Sequence, residues 1–360
     1  MHPTIHDIYH VIDQLAPFST AMGFDNPGFL IGDGDCAVQT AVIALDCTPQ
    51  VLAAARAEQA QLIITPHPVI FHPLKHIHAD SIVYQLIEHH IGVISAHTNL
   101  DMAQGGVNDC LALRLGLQNI HSFSTEQVHA HWMIHVPIPK EQVDAVRAAM
   151  AAAGAGIVGA YTGCACMIDS VSTVVPGPQA HPTVGSIGER AFVPEIQLQM
   201  TCPPDKLDAV LAAMKKAHPY ETPSYSVFAN AGKEDRICLG RMGTLTAPLP
   251  ADSFARHVKN ALGGSVRYAQ VNHPIHTVAV CGGAGGDLWE ECVRLHADAL
   301  VTADVKHNIF LDAAAQGLMV LDAGHFHTED VVIEPLRAYL QAQFPQVRWL
   351  GHHQTALQSL

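Results

Sequence analysis

Short apolar runs alternate with helix-like segments over both ends of this 360-residue chain. The pattern of a buried strand occurs at Gln39–Asp46, Leu62–Thr65 and Ile91–Ala96. In the stretches between them, the apolar residues recur at the spacing of a helix. This alternation is typical of a parallel or mixed sheet covered by helices. In such folds the functional groups collect beyond the carboxyl ends of the strands, so the sequence predicts an α/β fold with its site at the strand ends.

The middle of the chain carries an internal duplication. Asp144–Met150 and Asp208–Met214 share the run Asp-Ala-Val-x-Ala-Ala-Met, and each follows a strand-like segment. Two copies of strand–helix–strand predict a ferredoxin-like β-α-β-β-α-β module. Gly154–Tyr161 and Ser224–Phe228 are the predicted second strands of the two copies.

A chain of this length suits two or three domains. The change of pattern predicts an α/β domain in two segments, interrupted by an inserted α+β domain. The predicted first segment is 1–125, the insert is 126–232, and the second segment is 233–360.

Composition narrows the class of protein. The formal net charge of −14 argues against nonspecific nucleic-acid binding, which depends on lysine and arginine, but it does not exclude a small-molecule ligand that carries phosphate. No apolar run reaches the length of a membrane span, and we recognise no secretion signal, so the predicted location is the cytoplasm. The nine scattered cysteines fit free thiols in a reducing compartment.

Three predicted strand ends present imidazoles and carboxylates. The residues that follow these strands are His67, then His97, Asn99 and Asp101, and finally His325 and Glu329. Imidazole nitrogen together with carboxylate oxygen suits a divalent transition metal. Taken alone, His325 could instead cap a helix beginning near Thr328, with Glu329 stabilising its N-terminal end. Convergence of the three strand ends favours a shared metal centre.

A glycine-rich stretch, 282–286, lies between a predicted strand and a predicted helix. Backbone N–H groups in such loops often bind phosphate. The stretch is neither a Walker loop nor a full dinucleotide fingerprint. Two interpretations stay open: a tight turn, or a loop that cradles a ligand.

At these strand ends the sequence resembles the YbgI/YqfO-like family, also called NIF-three-like and known as GTP cyclohydrolase I type 2 homologues. The matching motifs occur in the family's order: Asp25-Asn26-x-Gly28-x-Leu30-x-Gly32, Ile64-Thr-Pro-His67-Pro-Val-Ile-Phe-His-Pro-Leu-Lys75, Ala96-His97-Thr-Asn-Leu-Asp101-x3-Gly-Gly-Val-Asn108-Asp109, Cys281-Gly-Gly-Ala-Gly-Gly, Thr302-x-Asp304-x-Lys306-His307 and Asp322-Ala-Gly-His325-x3-Glu329.

The resemblance implies a NIF-three-like α/β domain with mixed sheets and a CutA/PII-like insert, in which His218-Pro-Tyr-Glu221-x-Pro223 resembles a CutA strand motif. It implies a homo-oligomer, a hexameric ring, and a centre of one or two divalent ions (zinc, iron or manganese). The ligand positions it implies are His67, Asp101, His325 and Glu329, with the two carboxylates able to bridge.

One position departs from the family, which often has two adjacent histidines where this chain has Pro66-His67. Proline offers no ligand, so His97 or His72 could substitute, or one ion site is weak. His97 has two alternative roles, as ligand or as a residue that holds a ligand in place. It is also the predicted catalytic residue, because an imidazole can move protons. Lys75 and Asn99, in the same motifs, are the predicted substrate-binding residues.

Two functions follow from this pattern. The first is a metal-dependent hydrolase, GTP cyclohydrolase-like, acting on a nucleotide, a phosphoester or a cyclic amide. The alternative is a non-catalytic metal-binding protein of regulation or assembly, whose insert senses a ligand. Proline at position 66 favours the alternative, since loss of one ion weakens two-metal chemistry.

Overall fold

The computed structural model describes residues 2–355, apart from the side chains of 125–130, 231 and 233–236. The chain forms two compact units. Met1–Gln127 and Ile237–Leu360 make the first, called here the split unit, and Val128–Arg236 make the second, called the insert unit. Each unit has its own apolar core.

The strands are β1 (Gly28–Ile31), β2 (Thr40–Ala44), β3 (Leu62–Thr65), β4 (Gly92–Ser95), β5 (Gln118–Pro139), β6 (Cys166–Val174), β7 (Ala191–Cys202), β8 (Ser226–Leu249), β9 (Arg267–Tyr268), β10 (Ile275–Val280), β11 (Ala299–Thr302), β12 (Met319–Asp322) and β13 (Arg348–His352). The α-helices are α1 (Ile5–Leu15), α2 (Pro49–Ala57), α3 (Ile82–Glu88), α4 (Thr98–Met102), α5 (Val107–Arg114), α6 (Val143–Ala152), α7 (Leu207–Ala217), α8 (Ala251–Leu262), α9 (Trp289–Arg294), α10 (His307–Ala315), α11 (His325–Glu329) and α12 (Ile333–Gln343).

Two mixed sheets build the split unit. The first has the order β1-β4-β3-β2-β13, with β1 antiparallel and the other neighbours parallel. In the second, β10, β11 and β12 are parallel neighbours, and the end of β8 and the short β9 flank them as antiparallel strands. β2, β3, β4 and β11 are buried along nearly their whole length, as strands covered on both faces should be.

Helices cover both faces of the first sheet. The apolar side of α1 packs with α12 on one face, and α2 and α3 pack on the other. A capping box fixes the start of α1: the Thr4 side chain accepts from the Asp7 N–H, and the Asp7 carboxylate accepts from the Thr4 N–H. The apolar core therefore holds the strand ends of this sheet in place. The fold is mixed α/β, as the sequence predicts.

The insert unit has the strand order β6-β7-β5-β8. With β-α-β-β-α-β along the chain, this is the arrangement expected of a ferredoxin-like module. Helices α6 and α7 pack on the sheet through Val146, Met150, Val210 and Met214, residues of the duplicated run. The duplication thus supplies equivalent core positions in both halves.

One predicted strand of this unit is wrong. Gly154–Tyr161 is a turn region, in which Gly154, Gly156 and Gly159 have φ of 110°, 74° and 57°. Such left-handed backbone interrupts a strand. The second strand is instead β6, and β13, which pairs with β2, is a strand that the sequence does not predict.

The helix near the C-terminus also starts earlier than predicted. Gly324 has a φ of 86°, and α11 begins at His325 rather than near Thr328. His325 and Glu329 are therefore one turn apart on the same helix, four residues from each other, and project from the same face. Among the described residues, no helix combines the length and apolar character that a membrane crossing requires.

Candidate metal centre

Neighbouring strand ends position two imidazoles in the same way. β2 and β3 are parallel neighbours, so Asp46 and His67, each two residues beyond its strand, meet with 2.6 Å between Oδ1 and Nδ1. β11 and β12 are also parallel neighbours, and Asp304 beyond β11 lies 2.6 Å from Nδ1 of His325. In both pairs the carboxylate holds the imidazole ring through Nδ1, so Nε2 is the ring nitrogen that could bind a metal ion.

The two Nε2 atoms meet at one carboxylate. Glu329 Oε2 lies 2.8 Å from Nε2 of His67 and 3.2 Å from Nε2 of His325. The two Nε2 atoms are 3.3 Å apart. Among the described residues, His67, His325 and Glu329 form a group that could hold a metal ion, and we call this group the His–Glu cluster. It joins the first sheet to the second within the split unit.

Charges in the cluster are strongly coupled. Burial would raise the pKa of Glu329, but hydrogen bonds from His325 and His67 outweigh burial and lower it to about 2. Burial would lower the pKa of His67, but Asp46 and Glu329 outweigh it and raise the pKa to about 10. The hydrogen bond to Glu329 is the main cause that raises the pKa of His325 to about 9. Without a cation, the buried Glu329 and the two imidazoles therefore stabilise one another's charged forms.

Asp101 lies on α4 beside this group. Burial, and next the negative charge of Glu329, raise the pKa of its carboxyl group well above the ordinary value. His67 and His325 act in the opposite direction. A carboxyl group in this position gains its charged form when a cation is added, which suits a metal ligand.

His97 is held by a carboxylate in the same manner as the other two histidines. β1 runs antiparallel to β4, so Asp25 before β1 lies at the end of β4, 2.7 Å from Nδ1 of His97. Asp25 also accepts from the N–H and the hydroxyl of Thr98, and these bonds together outweigh burial and lower its pKa to about 2. The rings of His97 and His67 are 5.5 Å apart between centroids. His97 therefore borders the cluster.

The glycine loop lies against the cluster. A Cβ atom added at Gly283 would be 2.2 Å from Oε1 of Glu329. Three of the loop's N–H groups donate to protein side chains: Gly282 donates to Asn108, Gly283 to Thr328 and Gly285 to Thr302. This favours the tight-turn interpretation, with glycine required so that the backbone can approach Glu329.

The remaining predicted residues are placed elsewhere. Lys75 lies in the exposed segment 71–80, which also contains His72. Asn99 is fully buried, and its amide donates to the Ala16 carbonyl at 2.7 Å. A substrate-binding role for either residue stays a prediction.

Sequence reasoning missed the carboxylates that hold the histidines, namely Asp46, Asp304 and Asp25. Asp46 and Asp304 each follow a strand next to a histidine-bearing strand. That repeated placement is the signal that could have found them. It requires the strand order, which a single sequence does not contain.

Known proteins share this architecture. The sequence profile of the Duf34/NIF3 (NGG1p interacting factor 3) family matches residues 3–356. A Bacillus subtilis protein named GTP cyclohydrolase 1 type 2 homolog is 35% identical over 325 residues, which are 89% of this chain and 87% of that protein. A Halalkalibacterium halodurans protein of the same name is 34% identical over 326 residues, 88% of this chain and 87% of that one.

The crystal structure of a Bacillus cereus protein related to NIF3 superposes with a TM-score of 0.89 at 31% identity. The superposition covers 100% of this chain and 99% of that chain. The match therefore includes both segments of the split unit and the insert. The chain belongs to the Duf34/NIF3 family of GTP cyclohydrolase 1 type 2 homologues.

Proposed function

We propose that the split unit binds a divalent metal ion and hydrolyses a nucleotide, a phosphoester or a cyclic amide. The observation that carries the proposal is the His–Glu cluster, in which three ligand atoms from both sheets meet within 3.3 Å. The donor set of imidazole and carboxylate fits zinc, iron or manganese. Asp101 beside Glu329 supports a further carboxylate ligand, because a cation would relieve the repulsion between the two groups.

The residues around the cluster have different proposed roles. A bound divalent ion would supply Lewis acidity toward water or a substrate oxygen. Asp46 and Asp304 hold the rings of His67 and His325 in the orientation that presents Nε2. His97, whose Nδ1 is fixed by Asp25, has Nε2 available to accept or deliver a proton at the edge of the site.

Metal loading and activity test the proposal together. The chain, loaded in turn with zinc, iron(II) or manganese, is assayed against GTP, p-nitrophenyl phosphate and dihydrouracil, with ion content measured per chain. We expect metal-dependent turnover of one substrate class, lost in His97→Gln while ion content stays unchanged. Full loading without turnover in any class would contradict a hydrolase.

A specific observation favours a second candidate, a metal-binding protein of regulation or assembly. Pro66 is buried next to His67 and offers no ligand atom. Among the described residues, the group of potential ligands contains two imidazoles and one carboxylate, enough for one ion. One tightly held ion without turnover would support this role, as would a metal-dependent change between single chains and the ring that the family resemblance implies.

The carboxylates behind the histidines should control metal affinity. Asp46→Asn and Asp304→Asn each remove the negative charge of the carboxylate that is hydrogen-bonded to Nδ1 of a proposed ligand, and we expect roughly tenfold to hundredfold weaker binding. Asn tolerates the left-handed backbone of Asp304, whose φ is 51°, so the loop should keep its conformation. Chelator competition measures the affinity. Asp35→Asn, at a side chain 92% exposed, is the matched control and should change nothing.

Metal binding should release protons. His67 and His325, with pKa values of about 10 and about 9, hold their protons at neutral pH, and an ion must displace both from Nε2. The two imidazoles should therefore make affinity rise with pH by up to about two log units per pH unit, and their contribution should level off above these pKa values. Calorimetry at pH 7 in buffers of different ionisation enthalpy counts the protons. Heats of metal binding that do not depend on the buffer would contradict the prediction that His67 and His325 lose protons when the ion binds.

A further inference from the structure

The insert unit contains a cavity that the metal site does not use. Its volume is about 400 Å³, within the range of small-molecule sites. Apolar side chains form much of its wall, among them Val174, Pro176 and Val193, and Glu195 and Tyr220 supply polar groups. All of its lining residues belong to the insert unit.

Glu195 is the unusual member of this lining. It lies on β7 and is only 1% exposed. The Tyr220 hydroxyl donates to Oε1 at 2.5 Å, whereas Oε2 is buried and has no hydrogen-bond partner. A buried carboxylate oxygen without a donor is costly, so its retention beside a cavity requires an explanation.

The Tyr220–Glu195 pair is fixed from both sides. Burial, followed by the bond to Glu195, raises the pKa of Tyr220, so the hydroxyl stays a donor. The Tyr220 N–H donates to Nδ1 of His218, and Nε2 of His218 lies 3.0 Å from the Pro137 carbonyl. The His218-Pro-Tyr-Glu221 motif therefore holds the carboxylate at the cavity wall.

The charged residues that line the cavity indicate which class of ligand it can bind. The described lining contains Glu195, Glu221 and His181 but no lysine or arginine. His181 and Glu221 are exposed, and their side chains approach to 3.7 Å. Two carboxylates without a fixed cation create a negative potential that repels phosphates and carboxylates and attracts nitrogen cations.

We infer that this cavity binds a small organic amine, with its ammonium group donating to Glu195 and a short apolar body against the valine and proline wall. The ammonium supplies a donor to the Glu195 carboxylate, which accepts only one hydrogen bond from the protein, and its charge compensates that of the carboxylate. The inference does not depend on the hydrolase proposal, because every contact lies within the insert unit.

Calorimetry on the full chain tests it with two probes of similar shape and opposite charge, phenethylamine and 3-phenylpropionate. We expect phenethylamine to bind at least tenfold more tightly, and Glu195→Gln to weaken it roughly tenfold to hundredfold, because a charged hydrogen bond is lost. Glu189→Gln, an exposed carboxylate of the same unit outside the lining, is the matched control and should not change the affinity.

A second variant covers the case that Glu195→Gln disturbs folding. Ala180→Phe puts a ring into the cavity while leaving Glu195 in place, and it should abolish phenethylamine binding with the melting temperature preserved. Equal affinity for the two probes, no binding of either, or equal effects of Glu195→Gln and Glu189→Gln would overturn the inference.

Discussion

Replacing Glu329 by glutamine is expected to lower divalent metal affinity by two to three orders of magnitude. Glu329 is 4% exposed, and its carboxylate lies between the Nε2 atoms of His67 and His325. Removing one partner of a buried charge pair costs roughly 3–5 kcal/mol, and the lower half of that range corresponds to this loss of affinity. Inductively coupled plasma mass spectrometry after dialysis and chelator competition give ion content and affinity.

The same substitution has a second consequence in the metal-free protein. Glutamine carries no negative charge to stabilise the two imidazolium groups, so the pKa values of His67 and His325 should fall from about 10 and about 9 toward the ordinary value. NMR titration of the imidazole signals measures this. The matched control is Glu334→Gln, at a half-exposed side chain outside the cluster, which should change neither quantity. Retained ion content in Glu329→Gln would refute the role of this carboxylate.

The second large effect is expected from Gly283→Ala. The new methyl group would stand 2.2 Å from Oε1 of Glu329 and 3.3 Å from Cε1 of His325. Glu329 must then move away from the histidines, and metal affinity should fall on the order of a hundredfold, as for the loss of a buried charge partner. Left-handed backbone, with φ of 63°, adds a cost of roughly 1–2 kcal/mol to stability.

A matched control separates the methyl contact from the backbone cost. Gly116 has a similar φ of 73°, and a Cβ atom there would meet nothing within 4 Å. Gly116→Ala should therefore lose a comparable part of the free energy of unfolding in urea and keep its metal affinity. If both alanine variants bind metal equally well, the glycine loop does not shape the site.

The sequence predicts the main architecture because apolar runs and duplicated helices are local features. The strands around Leu62 and Ile91 are apolar over their whole length, and the buried β3 and β4 confirm the prediction. Gly154–Tyr161 misleads because its apolar residues suggest a strand, whereas three left-handed glycines turn the chain. β13 was missed because polar residues interrupt its apolar pattern, although its pairing with β2 stabilises it.

Part of the site can likewise be predicted from local features of the sequence. His67, His325 and Glu329 are visible because each follows an apolar run, and the structure brings them together. Asp46, Asp304 and Asp25 become recognisable only when the order of strands is known, since each reaches a histidine on a neighbouring strand. The left-handed Gly324, which sets the start of α11, likewise depends on backbone geometry rather than on residue pattern.

The distance along the chain between the two sides of the cluster sets the order in which they are synthesised. His67 and Glu329 are 262 residues apart, and the insert unit is translated between them. A ribosome-bound chain can expose β3 and its histidine long before the opposing carboxylate has been made. Any ion held at this cluster would therefore bind only after Glu329 has been translated, and it would link two segments of the chain that are made at well separated times.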